Sequence, residues 1–265
     1  MLIFGLGYSA QRIAARLRAE GWTLRATGSD GDLDFADEAS VSAALVSADA
    51  VLSSVPPDRG GDPVLARYGP SLERCGWLGY LSSTGVYGDT GGAFVDESAV
   101  IGLGRREARS EADAAWLARG ARVFRLPGIY GPGRSALDRV RDGRARRIDL
   151  PGQTFSRIHV EDIAACVVAG LHGPRGAYNL ADDLPCSQNA VIEEACRLLE
   201  RPPQPLQTLE EADLSPMARG FYAENRRVAN GKAKRVLGWR PAHPTYREGL
   251  RACLEGDDQP EHRQS

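Results

Sequence analysis

The 265-residue sequence predicts an α/β fold: a doubly wound parallel sheet with helices on both faces, followed by a small irregular C-terminal part. Three observations predict it. Short apolar runs alternate with helical patterns through residues 1–133, a glycine-marked turn joins the first run to the first helix, and the alternation loosens after Gly133. Strands that alternate with helices form parallel sheets, since each helix returns the chain to the same end of the sheet.

The first 133 residues carry the alternation itself. An apolar run at 2–4 precedes a helix with one buried face, formed by Ala10, Ile13, Ala14 and Leu17 and ended by Gly21. The patterns that follow predict strands at 22–27, 49–57 and 77–88, a helix at about 105–119, and a strand running into a turn at 121–131.

The chain after Gly133 completes this core and adds a second part. A basic stretch at 138–152 is followed by a helix within 158–171, a strand near 176–182, a helix near 188–200 and a final helix after 237–250. We predict a core made of residues 1–133 and completed by about 156–182. The remaining segments, 134–155 and 183–265, are predicted to form a smaller substrate-side part that is the second wall of a cleft.

Composition excludes several classes of protein. A net charge of −2 argues against nucleic acid as a partner. No run approaches the ~18–20 apolar residues of a membrane span, so we expect no membrane contact and a cytoplasmic protein. The five cysteines are widely spaced without a C-x-x-C pair, which predicts neither disulfides nor a metal site. Cys166 and Cys196 lie in apolar helical runs and are expected to be buried thiols.

The turn between the first strand and the first helix has the spacing of a phosphate-binding loop. Such a loop needs a glycine for the bend, a second that lets backbone approach a pyrophosphate, and a small third residue for helix packing. Gly5, Gly7 and Ala10 occupy these positions, and the N–H groups at the start of the helix would face the phosphates. We predict that Gly5, Gly7, Tyr8, Ser9 and Ala10 bind a dinucleotide, with an ordinary glycine turn as the alternative.

The end of the second predicted strand bears on which dinucleotide is bound. An acidic residue at this tip binds the ribose 2′-hydroxyl of NAD, whereas a 2′-phosphate requires hydroxyls or a cation. Thr27 and Ser29 flank a glycine here, and the first acid is Asp30. We therefore favour NADP over NAD, bound by Thr27 and Ser29 with Arg25 or Arg12 nearby. Asp30 is the residue that could overturn this preference.

Six stretches together resemble a known family. They occur in the expected order along nearly the whole chain: GLGYSAQRIA (5–14), SSTGVYGD (82–89), RLPGIYGPGR (125–134), SRIHVEDIA (156–164), YNLADD (178–183) and LGWRP (237–241). The sequence resembles the extended short-chain dehydrogenase/reductases, in particular the NAD-dependent epimerase/dehydratase group and an atypical branch of it with GxGY-type loops. The resemblance implies a Rossmann-type fold and an NAD(P) cofactor.

The resemblance also implies a catalytic hydroxyl near the end of the strand predicted within 77–88. In this family a Ser or Thr before the V-Y-G motif binds the reacting oxygen, and Ser83 has the matching distance from Val86. A hydroxyl there can donate to an oxygen that gains charge during hydride transfer. Ser82 and Thr84 are neighbours that could substitute for it, and a Ser-Ser-Thr run that merely closes a strand is the alternative.

The family's catalytic tyrosine and lysine have no counterpart in the next helix. Matching Glu111 and Ala112 to the acidic-Ala pair that follows the family lysine puts Arg109 in the lysine position and Arg105 in the tyrosine position. Arg109 could hold the cofactor ribose or phosphate, but an arginine cannot donate a proton near neutral pH. A solvated helix face, with Arg109 paired to Asp113, is the alternative.

Other residues must then supply the proton. Tyr87 is the nearest alternative acid in the sequence, followed by Tyr130 and His159, although each is more often structural in the family. His159 precedes an acidic pair at a predicted helix start, which favours a structural role for it.

Ligands in open α/β sheets bind outside the carboxyl ends of the strands, so several strand ends should meet in the cleft. Cofactor contacts are expected from Val55, Pro56, Ser82, Pro127 and Gly128, and substrate contacts from Tyr130, Arg134 and Arg157.

Arginines accumulate in the segment after the core, in a chain that is slightly acidic overall. They are Arg134, Arg144, Arg146, Arg147 and Arg157. A phosphate or carboxylate on the substrate would suit them, and a solvated basic loop is the alternative. Nucleotide-sugar members of the family bind the substrate diphosphate with an arginine, and this chain has Phe155 at that position. Nucleotide sugars are therefore only one candidate for the substrate.

We therefore predict an NAD(P)-binding oxidoreductase or epimerase/dehydratase-like enzyme that acts on a small polar substrate without the usual Tyr-Lys pair. The rival interpretation is a catalytically inactive NAD(P)-binding regulator or sensor. A homodimer is an expectation from the family resemblance alone.

Overall fold

The computed structural model describes residues 1–104 and 107–257. Its strands are β1 (Leu2–Phe4), β2 (Arg25–Ala26), β3 (Ala50–Ser53), β4 (Trp77–Ser83), β5 (Phe94–Val95), β6 (Arg122–Leu126), β7 (Gly128–Tyr130), β8 (Arg147–Ile148), β9 (Arg157–His159), β10 (Gly176–Asn179), β11 (Leu206–Gln207) and β12 (Arg227–Val228). Its α-helices are α1 (Tyr8–Ala19), α2 (Glu38–Ser47), α3 (Pro63–Leu72), α4 (Glu107–Ala118), α5 (Ala136–Arg141), α6 (Val160–Ala169), α7 (Gln188–Leu198), α8 (Pro216–Phe221), α9 (Gly231–Leu237) and α10 (Tyr246–Asp257).

Six of the strands form one parallel sheet in the order β10-β6-β4-β3-β1-β2. The chain winds outwards in both directions from β1 and β3, with β2 on one side and β4, β6 and β10 on the other. The predicted doubly wound parallel sheet is therefore confirmed. In such sheets the crevice at the carboxyl ends, where the winding direction changes, is the usual ligand site.

Alternate side chains of the strands pack against helices on opposite faces. Ile3, Leu52 and Phe124 share one apolar cluster with α1 and α6. Their neighbours Leu2, Val51 and Val123 share another cluster with α2, α3 and α4. Successive side chains in a strand point to opposite faces, so these adjacent apolar residues bury both faces of the sheet.

A third apolar cluster lies outside the sheet. Leu137 on α5, Ile192 on α7 and Leu250 on α10 are fully or almost fully buried against one another's helices. This cluster holds α5 in place by apolar packing, and α5 includes the start of the basic stretch 138–152.

Several predicted strands are shorter in the structure. The pattern at 22–27 yields only the two residues of β2, the strand within 49–57 ends at Ser53, and the one within 77–88 ends at Ser83, before a 3-10 turn at Thr84–Tyr87. The predicted strand at 121–131 divides at Pro127, after which β7 pairs with β9 in a separate two-stranded sheet. Proline has no N–H to donate to a sheet, which explains the break.

Five helices were not predicted, namely α2, α3, α5, α8 and α9, and the first three show why. α2 has an exposed apolar residue, Val46, at 83% exposure, so its sequence lacks a one-sided apolar pattern. α3 contains an internal proline, Pro70, which is typically a helix breaker. α5 has six residues and lies partly within the basic stretch 138–152, where charges hide its apolar positions.

None of the five cysteines forms a disulfide with another described residue, and Cys166 and Cys196 are buried as predicted. Within the described residues, no helix has the length and apolarity needed to cross a bilayer.

A buried ion pair joins the centre of the sheet to α4. Asp113 is 0% exposed and Arg125 is 2% exposed. Arg125 donates through Nε (3.0 Å) and Nη2 (2.7 Å) to the Asp113 carboxylate, and the Ser82 hydroxyl donates a third bond to it (2.6 Å). Arg125 Nη1 also donates to Tyr87 Oη (2.8 Å). The alternative pairing of Asp113 with Arg109 is therefore wrong, because both carboxylate oxygens of Asp113 accept bonds from Arg125.

We predict that Asp113→Ala lowers the free energy of unfolding by about 3–5 kcal/mol, since it leaves the buried Arg125 guanidinium without its carboxylate. Chemical denaturation of the variant measures the loss. The matched control is Arg16→Ala, which removes an exposed pair with Glu20 on α1. An Asp113→Ala loss no greater than that of this control would contradict the assignment.

A second buried carboxyl, Asp182, lies just after β10. It is 2% exposed, and its Oδ1 accepts a bond from Leu184 N (3.3 Å), whereas its Oδ2 has no hydrogen-bond partner within residues 1–104 and 107–257. Burial raises the pKa of Asp182 to about 7, although the Arg157 guanidinium opposes this shift. The folded state thus favours the protonated acid, and stability is lost as the pH rises from the unfolded pKa near 4 to about 7.

We predict that Asp182→Asn removes this contribution to the pH dependence of the unfolding free energy. The variant and the parent protein should have similar unfolding free energies near pH 4. Near pH 8 the variant should be more stable, by up to about 4 kcal/mol if the full shift is realised. Denaturant titrations across this range test it, and an unchanged difference between variant and parent from pH 4 to pH 8 would show that the carboxyl is not protonated in the folded protein.

Candidate functional site

A cavity of about 840 Å³ opens at the carboxyl ends of the central strands. One side is formed by the start of α1 and by the ends of β4 and β6, and the other by α5, α8 and the segment 154–157. Predicted site residues that line it are Gly7, Tyr8, Ser9, Ala10, Pro56, Ser82, Ser83, Thr84, Arg109, Pro127, Gly128, Arg134 and Arg157.

The glycine turn leaves the N-terminus of α1 open to this cavity. Gly7 is the N-cap residue, is exposed, and makes no side-chain cap, and the first turn of α1 has no acidic residue. The N–H groups of this turn and the positive end of the helix dipole therefore face the cavity, an arrangement that suits an anion.

Other predicted cofactor residues support the turn from behind and do not line the cavity. Gly5 has φ +81°, and a Cβ there would meet Val55 Cγ2 at 3.0 Å, so only glycine fits. Thr27 is 1% exposed, and its Oγ1 accepts a bond from Gly5 N (3.2 Å). Thr27 is thus buried behind the loop, while direct cofactor contacts by the half-buried Gly5 and Val55 stay predictions.

The two arginines expected near a 2′-phosphate are both paired with carboxylates. Arg25 bonds to Asp32, and Arg12 lies 3.7 Å from Glu161. Ser29 is exposed, and Asp30 accepts a bond from Gln11 Nε2 (2.6 Å). Ser29 therefore remains the accessible hydroxyl at this tip.

The three hydroxyls at the end of β4 differ in what they bond. Ser82 donates to Asp113, and the buried Thr84 has Leu126 O at 3.5 Å. Ser83 is half-buried, and its Oγ accepts a bond from Gly85 N (3.1 Å). Among the described residues nothing accepts the Ser83 hydroxyl proton, so Ser83 is the one of the three best placed to donate it to a ligand.

Arg109 lines the cavity from α4, where its Nη1 approaches Tyr80 Oη at 3.4 Å. Burial raises the pKa of Tyr80 to about 12, although the positive charge of the nearby Arg109 opposes this rise. Arg105, which the sequence comparison assigns to the family's tyrosine position, lies outside the described residues.

None of the alternative acids named from the sequence lines the cavity. Tyr87 is 1% exposed, and its hydroxyl donates to Asn179 Oδ1 (2.7 Å) while it accepts from Arg125. Burial raises the pKa of Tyr130, whose hydroxyl has no partner, and lowers the pKa of His159 to about 4. The roles expected for Tyr87 as an acid and Tyr130 as a substrate contact are thus not supported, because both side chains are buried in the protein.

The tyrosines that do line the cavity are Tyr8 and Tyr222. Tyr8 Oη donates to Pro132 O (3.1 Å), and the Arg134 guanidinium lies over the Tyr8 ring at 5.5 Å. The Tyr222 ring packs edge-on against Phe155 at 5.5 Å. Tyr222 was missed because no apolar periodicity marks the sequence around α8.

Arginines are the main charged residues of the cavity wall. Arg144, Arg146 and Arg157 line it as the sequence indicates, but Arg147 does not and pairs with Glu193 (2.5 Å). The buried Arg157 bonds to the carbonyl oxygens of Phe155 and Cys186 (3.1 and 3.2 Å). Arg139 and Arg226 also line the cavity and were missed, although Arg139 lies within the basic stretch.

Comparison with known proteins agrees with this architecture. A conserved protein of unknown function from Silicibacter pomeroyi is 40% identical to this chain, and the match covers 96% of this chain and 98% of that protein with a TM-score of 0.86. A human epimerase family protein, SDR39U1, solved with NADPH, is 16% identical, and that match covers 96% and 99% of the two chains with a TM-score of 0.73.

A Streptomyces protein named 3-diazoavenalumate denitrifying reductase is 33% identical over a shorter alignment. That alignment covers 48% of this chain and 45% of the reductase, so the chain spans less than half of this relative. No family model matches the sequence.

The resemblance inferred from the six sequence stretches is confirmed at the level of the fold. The chain has the extended short-chain dehydrogenase/reductase fold of the NAD-dependent epimerase/dehydratase proteins, and it belongs to the same family as the Silicibacter pomeroyi protein.

Proposed function

We propose that this protein binds a nicotinamide dinucleotide, NADP in preference to NAD, and catalyses hydride transfer to or from a small polar substrate as an oxidoreductase or epimerase/dehydratase-like enzyme. The observation that carries the proposal is that the open N-terminus of α1 and the Ser83 hydroxyl line the same cavity. A human protein of the same fold solved with NADPH and a Streptomyces relative named a reductase support it.

The residues around the start of α1 fit a dinucleotide pyrophosphate. A Cβ added to Gly7 would meet nothing within 4 Å, so this glycine leaves open space where a phosphate can approach the backbone. The N–H groups of Tyr8, Ser9 and Ala10 would bind its oxygens. Pro127 and Gly128 would lie beside the nicotinamide, and Arg109 would hold the ribose or a phosphate.

Ser29 supports the preference for NADP. It is an exposed hydroxyl at the tip of β2, while the adjacent Asp30 is engaged by Gln11. A 2′-phosphate can accept a hydrogen bond from Ser29, whereas an unpaired carboxylate at this tip would favour the diol of NAD.

A bound nicotinamide would supply the hydride-transfer chemistry. Ser83 donates a hydrogen bond to the substrate oxygen at the reacting carbon and stabilises the negative charge that develops there when a carbonyl is reduced. Gly85 N holds the Ser83 oxygen in place (3.1 Å), which orients the hydroxyl proton away from its own turn. The proton that completes the alcohol would come from a nonstandard residue or a water, since the buried Tyr87, Tyr130 and His159 do not line the cavity.

A nucleotide-binding regulator is the second candidate. The arginines at positions 105 and 109, in place of the family's tyrosine and lysine, favour it. A regulator needs no positioned proton donor, whereas an enzyme needs one within ~3 Å of the reacting oxygen or through a water. Ser83 distinguishes the two candidates, because only the enzyme depends on it.

We predict that Gly7→Ala weakens NADP binding about tenfold or more, because the added methyl group occupies the space of the pyrophosphate. Isothermal titration calorimetry measures the affinity, and unchanged thermal unfolding shows that the fold is retained. Gly256→Ala on α10, which also adds a methyl in open space, is the matched control. The unmodified protein should bind NADP more tightly than NAD, and binding of neither nucleotide would refute the proposed function.

We predict that Ser83→Ala lowers the rate of hydride transfer about 100- to 1,000-fold without weakening NADP binding, as expected for loss of one hydrogen-bond donor to a developing oxyanion. The absorbance of reduced nicotinamide, followed with a panel of small carbonyl compounds, reports the rate. Thr84→Val is the control and should retain activity. A loss confined to Thr84→Val would move the catalytic hydroxyl to that residue, and activity in neither parent nor variants would favour the regulator.

A further inference from the structure

The charge of the cavity is opposite to that of the chain. The described residues that line it include seven arginines, at 109, 134, 139, 144, 146, 157 and 226, but a single carboxylate, Glu224. Arg226 Nη1 donates to Glu224 Oε2 (2.6 Å), and guanidinium groups far outnumber carboxylates among the described residues of the cavity wall. A protein with a net charge of −2 thus concentrates positive charge at this one place.

These arginines differ in the hydrogen bonds and ion pairs that their side chains form within the protein. Arg144 pairs with Asp142, and Arg146 donates to the carbonyl oxygens of Gly143 (3.0 Å) and Ala145 (3.1 Å). Arg139, by contrast, has no hydrogen-bond or ion-pair partner among the described residues. A guanidinium carries five donors, so an unpartnered one facing a cavity is suited to a ligand with acceptor oxygens.

Arg139 is exposed at the cavity wall, and its surroundings are positively charged. Desolvation lowers the pKa of Arg139 first, and the guanidinium groups of Arg157, Arg134 and Arg144 lower it further. Like charges brought together without a carboxylate repel one another, and an anion bound among them would relieve that repulsion.

Tyr222 adds a neutral donor at the same place. Its ring rests on Phe155, and its hydroxyl has no protein partner among the described residues. Burial raises the pKa of Tyr222, and the positive charges of Arg139 and Arg157, which line the same cavity, oppose this rise. A phenol that is neutral near pH 7 donates a hydrogen bond to an anion without adding charge.

We infer that Arg139 and Tyr222 bind an acidic group of the substrate, a carboxylate or a phosphate, at the α5 and α8 side of the cavity. This inference rests on the proposed function and names the substrate class as acidic. Such a group would be held by the bidentate guanidinium of Arg139 and by the Tyr222 hydroxyl.

The cofactor's own phosphates do not account for these two residues. The proposed pyrophosphate site is at the first turn of α1, and the proposed 2′-phosphate site is at Ser29. Arg134 lies over the ring of Tyr8 in that first turn, so its loss could affect cofactor and substrate together. Arg139 is on α5 and has no contact of this kind, which makes it the sharper residue to test.

The experiment titrates the NADP-saturated protein with inorganic phosphate and, separately, with benzoate in a calorimeter. One of the two anions should bind the unmodified protein, and which one does identifies the acidic group. Arg139→Ala should weaken that binding about tenfold or more, and Tyr222→Phe about threefold. Arg139→Lys, which keeps the charge and loses the bidentate geometry, should lie between Arg139→Ala and the parent.

Arg146→Ala is the matched control, because it removes the same charge from the same cavity wall while Arg146 is already bonded to backbone. It should weaken anion binding much less than Arg139→Ala. Equal weakening by both variants, or binding of neither anion to protein that does bind NADP, would overturn the inference. NADP affinity is measured separately in every variant. If the proposed function is wrong, NADP does not bind. The anion titration is then made on the protein without NADP.

Discussion

The buried pair of Asp113 and Arg125 is the interaction on which the site depends. It joins α4 to β6, and Ser82 extends it to the end of β4. Tyr87 and Asn179 continue the network to β10, with each bond between 2.6 and 3.0 Å. Burying two charges is costly unless their hydrogen-bonding groups are satisfied, and here the carboxylate accepts three bonds. This network fixes the strand ends beside Ser83 and consumes the hydroxyls of Ser82 and Tyr87, so neither remains available to a ligand.

The C-terminal part is tied to the core by similar means. Asp162 at the start of α6 accepts bonds from Ala242 N (2.6 Å) and His243 N (3.1 Å), and its carbonyl oxygen accepts from Trp239 Nε1 (3.1 Å). These bonds bring the stretch 156–164 into contact with residues 239–243. They hold one wall of the cavity against the sheet that provides the other.

Sequence reasoning succeeded where one element carries its own signal. The apolar spacing of α1 and the glycines before it predicted the helix and the turn that leads into it, whereas the anion site at its start and the role of Ser83 stay predictions. It failed where a role depends on a distant partner. Tyr87 seemed a candidate acid until its bonds to Arg125 and Asn179, 38 and 92 residues away, placed it in the core. Tyr222 and Arg139 are candidate ligand contacts because the fold brings both to one cavity, and no local sequence pattern predicts that.

The central claim is that this cavity binds a nicotinamide dinucleotide with its reactive end at Ser83. A crystal structure of the protein with NADP tests it most directly. Our account predicts pyrophosphate oxygens within hydrogen-bond distance of the N–H groups of Tyr8, Ser9 and Ala10, and the nicotinamide C4 facing the Ser83 hydroxyl. A nicotinamide C4 surrounded only by apolar side chains and arginines, or no nucleotide at the start of α1, would contradict it.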